Sequence, residues 1–179
     1  MDDPTVQQRA SGIKLLLMDC DGVLTDGRIW IVDGDDQKAF STRDGLGLEL
    51  LHRAGLSSGI ISGRESTALQ YRAEALGVSF IHQGVENKVS AFERILQKAD
   101  LDRSEVAYIG DDLNDIPLLQ RAELAVAVAN ASDETKRQAH FVTGASGGDG
   151  AVRETIELIL KAQNRWDELI KRYLGEGQP

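Results

Sequence analysis

The chain has 179 residues, a formal net charge of -9, 41% hydrophobic and only 5% aromatic residues. That length suits one compact domain able to bury roughly 70% of its unfolded surface. The acidity excludes a nucleic-acid backbone as partner and disfavours long-range capture of any anion, so a phosphate site here would need a metal ion and a few placed cations. Cys20 is the single cysteine, which precludes an internal disulfide and fits a reducing, cytoplasmic setting. Residues Met1 to Gly12 are polar, unlike a signal peptide, and no apolar run is long enough to span a membrane.

Short apolar runs alternate with helical patterns along the chain, the signature of repeated βα units and a parallel sheet. The first run, Ile13-Lys14-Leu15-Leu16-Leu17-Met18, reads as a buried central strand ending at Asp19. Ile29-Trp30-Ile31-Val32, the turn-rich Asp33 to Asp36 and Lys38-Ala39-Phe40-Ser41 predict a β-hairpin over about 28–41, projecting over the carboxyl end of that strand. A helix over Leu46 to Arg53 is closed by Gly55. A strand over Ser58 to Ile61 runs into Ser62, and a helix over Thr67 to Leu76 stops at Gly77. Lys88 to Ala99 carries Val89, Phe92, Ile95 and Leu96 on one stripe. Strands follow over Val106 to Ile109, Leu124 to Val128 and His140 to Val142, then a helix over Ala151 to Lys161 and a helical tail over about 164–179. The expected fold is a three-layer, Rossmann-like α/β sheet flanked by helices, with a small hairpin insertion and no large cap.

Chemistry-bearing residues collect where these strands end. Asp19 and Asp21 stand one residue apart after the first strand, on opposite sides of an extended chain, so they cannot duplicate one role. With a bend at Gly22, one carboxylate could attack phosphorus while the other handles protons. Turn chemistry alone also accounts for a short Asp- and Gly-rich loop. A second acidic cluster, Gly110-Asp111-Asp112-Leu113-Asn114-Asp115, places three carboxylates within five positions, which repel one another unless a cation lies among them. Acidic caps on a helix start are the plainer alternative, and Asp115 suits that role. Ser62-Gly63-Arg64 and Asn87-Lys88 supply a hydroxyl, backbone amides and a cation suited to phosphate.

In this order the four motifs resemble those of the haloacid dehalogenase superfamily. The resemblance implies that Asp19 is the nucleophile and Asp21 the general acid/base, with Ser62 and Lys88 as the phosphate-binding hydroxyl and lysine. It makes Asp111 and Asp112 the metal-side acids, with Mg²⁺ held by Asp19, Asp111 and the backbone carbonyl of Asp21. A closer resemblance, over Ile13 to Lys161, is to the capless phosphatases of 3-deoxy sugar acids. It rests on Asp21-Gly-Val-Leu-Thr-Asp-Gly27, Arg43-Asp44-Gly45, Ile61-Ser-Gly-Arg64, Ala107 to Asp115 and Gly147-Gly-Asp-Gly-Ala-Val-Arg-Glu154. It implies a homotetramer in which hairpins meet and neighbouring subunits complete each site. It also implies a small-molecule sugar-acid phosphate as substrate, for which Thr25, Arg43, Gly63 and Arg64 are candidate binding residues, with Lys38 and Asp26 beside them. Cys20 stands where an aliphatic residue is usual, Ser62 where Thr is common, and Asn87 where Asp is common. Rival readings are a phosphatase for a nine-carbon sugar-acid phosphate, a non-catalytic oligomerisation module and a phospho-acceptor signalling domain. The intact set Asp19, Asp21, Lys88 and Asp111 disfavours the oligomerisation module, and Asp21 disfavours the signalling domain. His52, His82 and His140 read as packing or surface residues.

Overall fold

The computed structural model describes residues 5–33 and 35–175. Strands β1 (Leu15–Met18), β4 (Ser57–Ile61), β5 (Phe80–His82), β6 (Val106–Gly110), β7 (Leu124–Ala127) and β8 (Phe141–Val142) form one parallel sheet in the order β5-β4-β1-β6-β7-β8. β1 lies at its centre, paired with β4 on one side and β6 on the other. The run of four apolar residues in β1 is buried on both faces, as expected of a parallel strand covered by helices. Alternation then sorts its side chains. Leu16 and Met18 enter one core with Leu48, Leu51, Val152 and Ile156, while Leu15 and Leu17 enter another with Phe92, Ile95 and Leu118. Helices α2 (Thr42–Arg53), α3 (Thr67–Ala75) and α7 (Ala151–Ala162) cover the first face. Helices α4 (Lys88–Ala99) and α5 (Ile116–Leu119) cover the second.

The expected three-layer sheet is therefore observed, and the strands fall within a residue or two of their expected ends. Helix α4 has the bounds read from its stripe, and Gly55 and Gly77 lie just past α2 and α3 with φ of +78° and +71°. Three short elements carry too few periodic residues to stand out in the sequence: α1 (Val6–Ser11), β5 and α6 (Asp133–Gln138). Helix α2 starts four residues earlier than expected, because the Ser41 hydroxyl accepts a hydrogen bond from the Asp44 amide and caps it. The tail forms α8 (Trp166–Ile170) and a 3₁₀ turn over Lys171–Tyr173, with the Trp166 ring facing Arg153 and Lys161 at 5.1 and 5.3 Å. Residues 176–179 of the expected tail lie outside the described residues.

The hairpin is present with a different second strand. β2 (Trp30–Val32) pairs antiparallel with β3 (Asp35–Gln37), not with Lys38 to Ser41. Asp33 adopts φ of +53°, which turns the chain tightly enough for Val32 to pair with Asp35; position 34 lies outside the described residues. Lys38 and Phe40 are thereby released from pairing, and Phe40 packs on the core instead.

Two loops meet at the carboxyl end of β1. The amides of Val23, Leu24 and Thr25 all donate to the Cys20 carbonyl, and the Thr25 hydroxyl accepts from the amides of Gly22 and Gly27. Against this loop lies the segment before α7. The Gly148 amide donates to the Val23 carbonyl, and the Gly147 amide to Asn130 Oδ1. Glu154 accepts from the amides of Gly144 and Ala145, and Asp44 from the Arg153 amide. A Cβ at Gly147 would stand 1.7 Å from the Gly22 carbonyl oxygen, so the two loops can touch only where there is no side chain. We expect Gly147→Ala to cost about 1–3 kcal/mol, as overpacking does. A thermal melt should show a lowered Tm, and an unchanged Tm would mean that the loops separate freely.

Candidate active site

Parallel ladder bonds bring the ends of β1, β4 and β6 level, and the side chains just beyond them face one cleft. It is lined by Asp19, Asp21, Gly27, Ser62, Gly63, Arg64, Asp111, Asp112 and Asn114. The Asp19 amide donates to the Ile109 carbonyl, extending the ladder by one residue and fixing the carboxylate at the tip of the central strand. Asp19 is 5% exposed.

Lys88 reaches this point from the first turn of α4. Asn87 caps that helix by accepting from the Ser90 amide, which sets the direction of the next side chain. The Lys88 ammonium lies 3.0 Å from Asp19 and 2.7 Å from Asp115. Burial opposes its charge, but the two carboxylates outweigh burial and raise its pKa, so it is a cation at any neutral pH. Asp115, buried at 0% exposure, is the hub of this corner. Its Oδ1 accepts from Lys88 and from the Tyr108 hydroxyl, and its Oδ2 from the amides of Asp111 and Asp112. Both oxygens are thus committed within the protein. The sequence suggested a helix start for Asp115, and it does fold the Asp111–Asp112 turn. Its partnership with Lys88 and Tyr108 required the tertiary structure, although a tyrosine inside the apolar run of β6 was a signal that a buried acceptor lay nearby.

Oxygens of Asp19, Asp111 and Asp115 lie within 4.8 Å of one another. Burial, then the charge of Asp115, pushes the Asp19 pKa up to about 6. Burial, then Asp115 and Asp19, pushes Asp111 up to about 7. Such crowding of hard oxygen donors suits a small divalent cation, and Mg²⁺ takes one or two carboxylates with water and phosphate oxygens. Because Asp115 is fully hydrogen-bonded, the donors with capacity to spare are Asp19 and Asp111. Gly22 makes room for the second: with φ of +91°, it would carry a Cβ only 2.0 Å from Asp111 Oδ2.

The other expected residues are placed as follows. Asp21 lies in the cleft, but its Oδ1 accepts from the Lys38 ammonium and its Oδ2 is 3.8 Å from Arg64 Nε. Ser62, 2% exposed, accepts from the Arg64 amide and donates to the Arg64 carbonyl, holding the turn that presents Gly63. Asp112 lines the same cleft and caps the 3₁₀ turn over Leu113–Asp115, accepting from the Leu113 amide. Thr25 is 1% exposed with its hydroxyl spent on loop backbone, so its placement supports loop architecture and not substrate contact. Arg43 is exposed on the first turn of α2 and is not among the residues lining the cleft. Asp26 is exposed and accepts from the Arg28 amide. Cys20 is buried, its thiol pushed far up by burial, and belongs to the core. His52 bonds Ser58, and His140 accepts from the Ala125 amide, both in packing roles.

Residues 63–154 match the haloacid dehalogenase-like hydrolase family. Over 166 residues the chain is 41% identical to the 3-deoxy-D-manno-octulosonate 8-phosphate phosphatase of Salmonella typhimurium, covering 92% of this chain and 88% of that protein. The corresponding phosphatase of Yersinia pestis is 43% identical over 161 residues, covering 89% and 86%. Among solved structures, the Moraxella catarrhalis phosphatase of the same name, in complex with magnesium, phosphate and its sugar acid, superposes with a TM-score of 0.92. It is 42% identical, over 94% of this chain and 97% of that one. The chain belongs to the haloacid dehalogenase-like hydrolases, in the family of the 3-deoxy-D-manno-octulosonate 8-phosphate phosphatases.

Proposed function

We propose that this chain is a Mg²⁺-dependent phosphatase that hydrolyses 3-deoxy-D-manno-octulosonate 8-phosphate to the free sugar acid and inorganic phosphate. The observation that carries this reading is the Asp19–Lys88–Asp111 corner at the tip of β1, in a chain 42% identical to a solved phosphatase holding magnesium, phosphate and that sugar acid. The reading includes one domain over 1–179 in the cytoplasm. The lone buried thiol supports that location, and no helix of the described residues is long and apolar enough to cross a membrane.

The mechanism follows from the charges. The Asp19 carboxylate attacks phosphorus, and the bond to the sugar oxygen breaks as Asp21 gives that oxygen a proton. Water then attacks the aspartyl-phosphate, Asp21 takes its proton, and Asp19 is regenerated. Lys88, held between Asp19 and Asp115, neutralises charge on the phosphoryl oxygens, with the Ser62 turn and the Gly63 amide beside it. Asp19, Asp111 and the Asp21 carbonyl would hold Mg²⁺, which would supply further neutralisation of the charge on the phosphoryl group. Asp115 positions Lys88, with both of its oxygens committed to hydrogen bonds within the protein.

The hairpin supports assembly. Ile29, Trp30, Ile31 and Val32 are 46%, 60%, 72% and 54% exposed, an apolar cost that a two-stranded ribbon does not bear unpartnered. We read it as the interface of a homotetramer in which adjacent subunits complete each site and exclude water.

Three outcomes follow. Asp19→Asn is expected to abolish phosphate release while leaving the melting profile cooperative, since an amide is a poor nucleophile; near-normal turnover would sink the mechanism. A second check uses pH. Asp19 and Asp111 have folded pKa values above those of the unfolded chain, so without metal their contribution to stability is present at low pH. It is lost as pH rises through about 6 and 7. Mg²⁺ binds the deprotonated pair, so the rise in Tm on adding Mg²⁺ to EDTA-treated protein should grow between about pH 5 and pH 8. A rise independent of pH would exclude this pair as the ligands. Thirdly, Trp30→Asp should dissociate the assembly in analytical ultracentrifugation at micromolar concentration and reduce turnover of the sugar-acid phosphate more than that of a small artificial ester. A fully active monomer would refute the shared site.

A further inference from the structure

Asn130 stands in the turn after β7 and has no part in the proposed reaction. It is exposed and does not line the cleft of Asp19 and Asp21. Its side chain is nevertheless committed, because Asn130 Oδ1 accepts from the Gly147 amide at 2.9 Å. The same turn holds the loop of Asp111 through its backbone. The Val128 amide donates to the Gly110 carbonyl, and the Ser132 amide to the Asp111 carbonyl at 2.9 Å. The turn also holds the segment before α7, since the Ala129 amide donates to the Ala145 carbonyl. The stretch Val128 to Ser132 therefore grips both the Asp111 loop and the Gly147 segment.

The two grips meet at Gly22. A Cβ on Gly147 would stand 1.7 Å from the Gly22 carbonyl oxygen, and a Cβ on Gly22 would stand 2.0 Å from Asp111 Oδ2. The contacts close a ring from Asp111 through Ser132, Asn130 and Gly147 to Gly22, and back to Asp111. Gly22 directly follows Asp21, so the ring fixes where the Asp21 carbonyl stands relative to the Asp111 carboxylate. Those are two of the three groups that would hold Mg²⁺, an ion that demands near-octahedral geometry with ligands at about 2.0–2.1 Å. Groups that orient the ligands of an ion without touching it commonly control its affinity. The bond at Ser132 is a backbone bond that any residue except proline makes. The bond at Asn130 needs an acceptor on the side chain of that residue, and there the sequence sets the brace.

We propose that Asn130 is a positioning residue of the metal centre: by holding Gly147 against Gly22, it sets the spacing of the Asp21 carbonyl and Asp111 and so the affinity for Mg²⁺. The proposal rests on the phosphatase reading above and adds a determinant of metal binding that lies outside the cleft. Losing the bond lets the Gly147 segment draw back and Gly22 follow, so the two ligands lose their common geometry. Asp19, Ser62 and Lys88 keep theirs, because the β6 ladder, the turn after β4 and Asp115 hold them. The defect is therefore one of metal affinity, which excess Mg²⁺ repairs by mass action.

Isothermal titration calorimetry of Mg²⁺ into the full-length, EDTA-treated protein tests it without any turnover. Asn130→Ala should raise the Kd for Mg²⁺ on the order of tenfold, the low end of the effect of groups behind metal ligands. Asn130→Asp retains the acceptor oxygen and should bind Mg²⁺ at least as tightly as the parent. Ile13→Val truncates a buried side chain ahead of β1, at the opposite end of the strand from the site, and controls for stability alone. It should lower Tm and leave the Kd unchanged. In turnover of 3-deoxy-D-manno-octulosonate 8-phosphate, Asn130→Ala should need more Mg²⁺ for half its maximal rate and reach the parental kcat at saturation. Asn130→Ser serves if the alanine variant does not fold. A parental Kd in Asn130→Ala, an equally weak Kd in Asn130→Asp, or an equal loss in Ile13→Val each overturns the brace. So does a kcat that stays low at saturating Mg²⁺. A parent protein that binds Mg²⁺ but does not hydrolyse the sugar-acid phosphate would overturn the phosphatase reading alone, and one that binds no Mg²⁺ would overturn both.

Discussion

The site is organised around one buried cation. Lys88 stands between Asp19 and Asp115 with little access to water, and a lone ammonium there would lose its charge to desolvation. Two carboxylates hold it charged, and in return it lets two acids approach each other at the tip of β1. Every nearby feature serves this arrangement. Asn87 aims the lysine, Tyr108 and two backbone amides saturate Asp115, and Gly22 leaves room for Asp111. Removing a single partner would leave an uncompensated buried charge, which is far more costly than removing the whole group.

The same corner explains why a chain with net charge -9 can handle an anionic ester. Overall acidity repels such a ligand at a distance, but the Debye length at cellular ionic strength is about 8 Å. Within that range the ligand meets Lys88 and Arg64, and the proposed Mg²⁺ would outweigh the acids that hold it. Capture is therefore local, and the rest of the surface is free to remain acidic.

Around the corner, backbone contacts do the positioning. The loop after β1 winds on the Cys20 carbonyl and is backed by Gly147 and Gly148, whose lack of side chains permits the contact. Asp44 and Glu154 tie that backing segment to α2 and α7. The Gly147 to Glu154 stretch is thus chemistry at one remove: it presses on the loop that carries Asp19 and Asp21 without lining their cleft.

What could be read from the chain alone was whatever depends on neighbours in sequence. The apolar run Leu15 to Met18, the stripe of α4 and the glycines after α2 and α3 encode local geometry, so the sheet, its flanking helices and Asp19 at a strand tip were legible. The proposed site residues were legible as types at strand ends, because parallel strands bring their carboxyl ends to one edge. Partnership was not. That Asp115 saturates on Tyr108 and Lys88, that Thr25 turns inward, that Arg43 stands outside the cleft, and that Lys38 leaves the hairpin to meet Asp21 depend on contacts between segments far apart in the chain. A side chain's hydrogen-bond partner is chosen by which oxygen or nitrogen lies about 3 Å away after packing, and no spacing in the sequence records that distance.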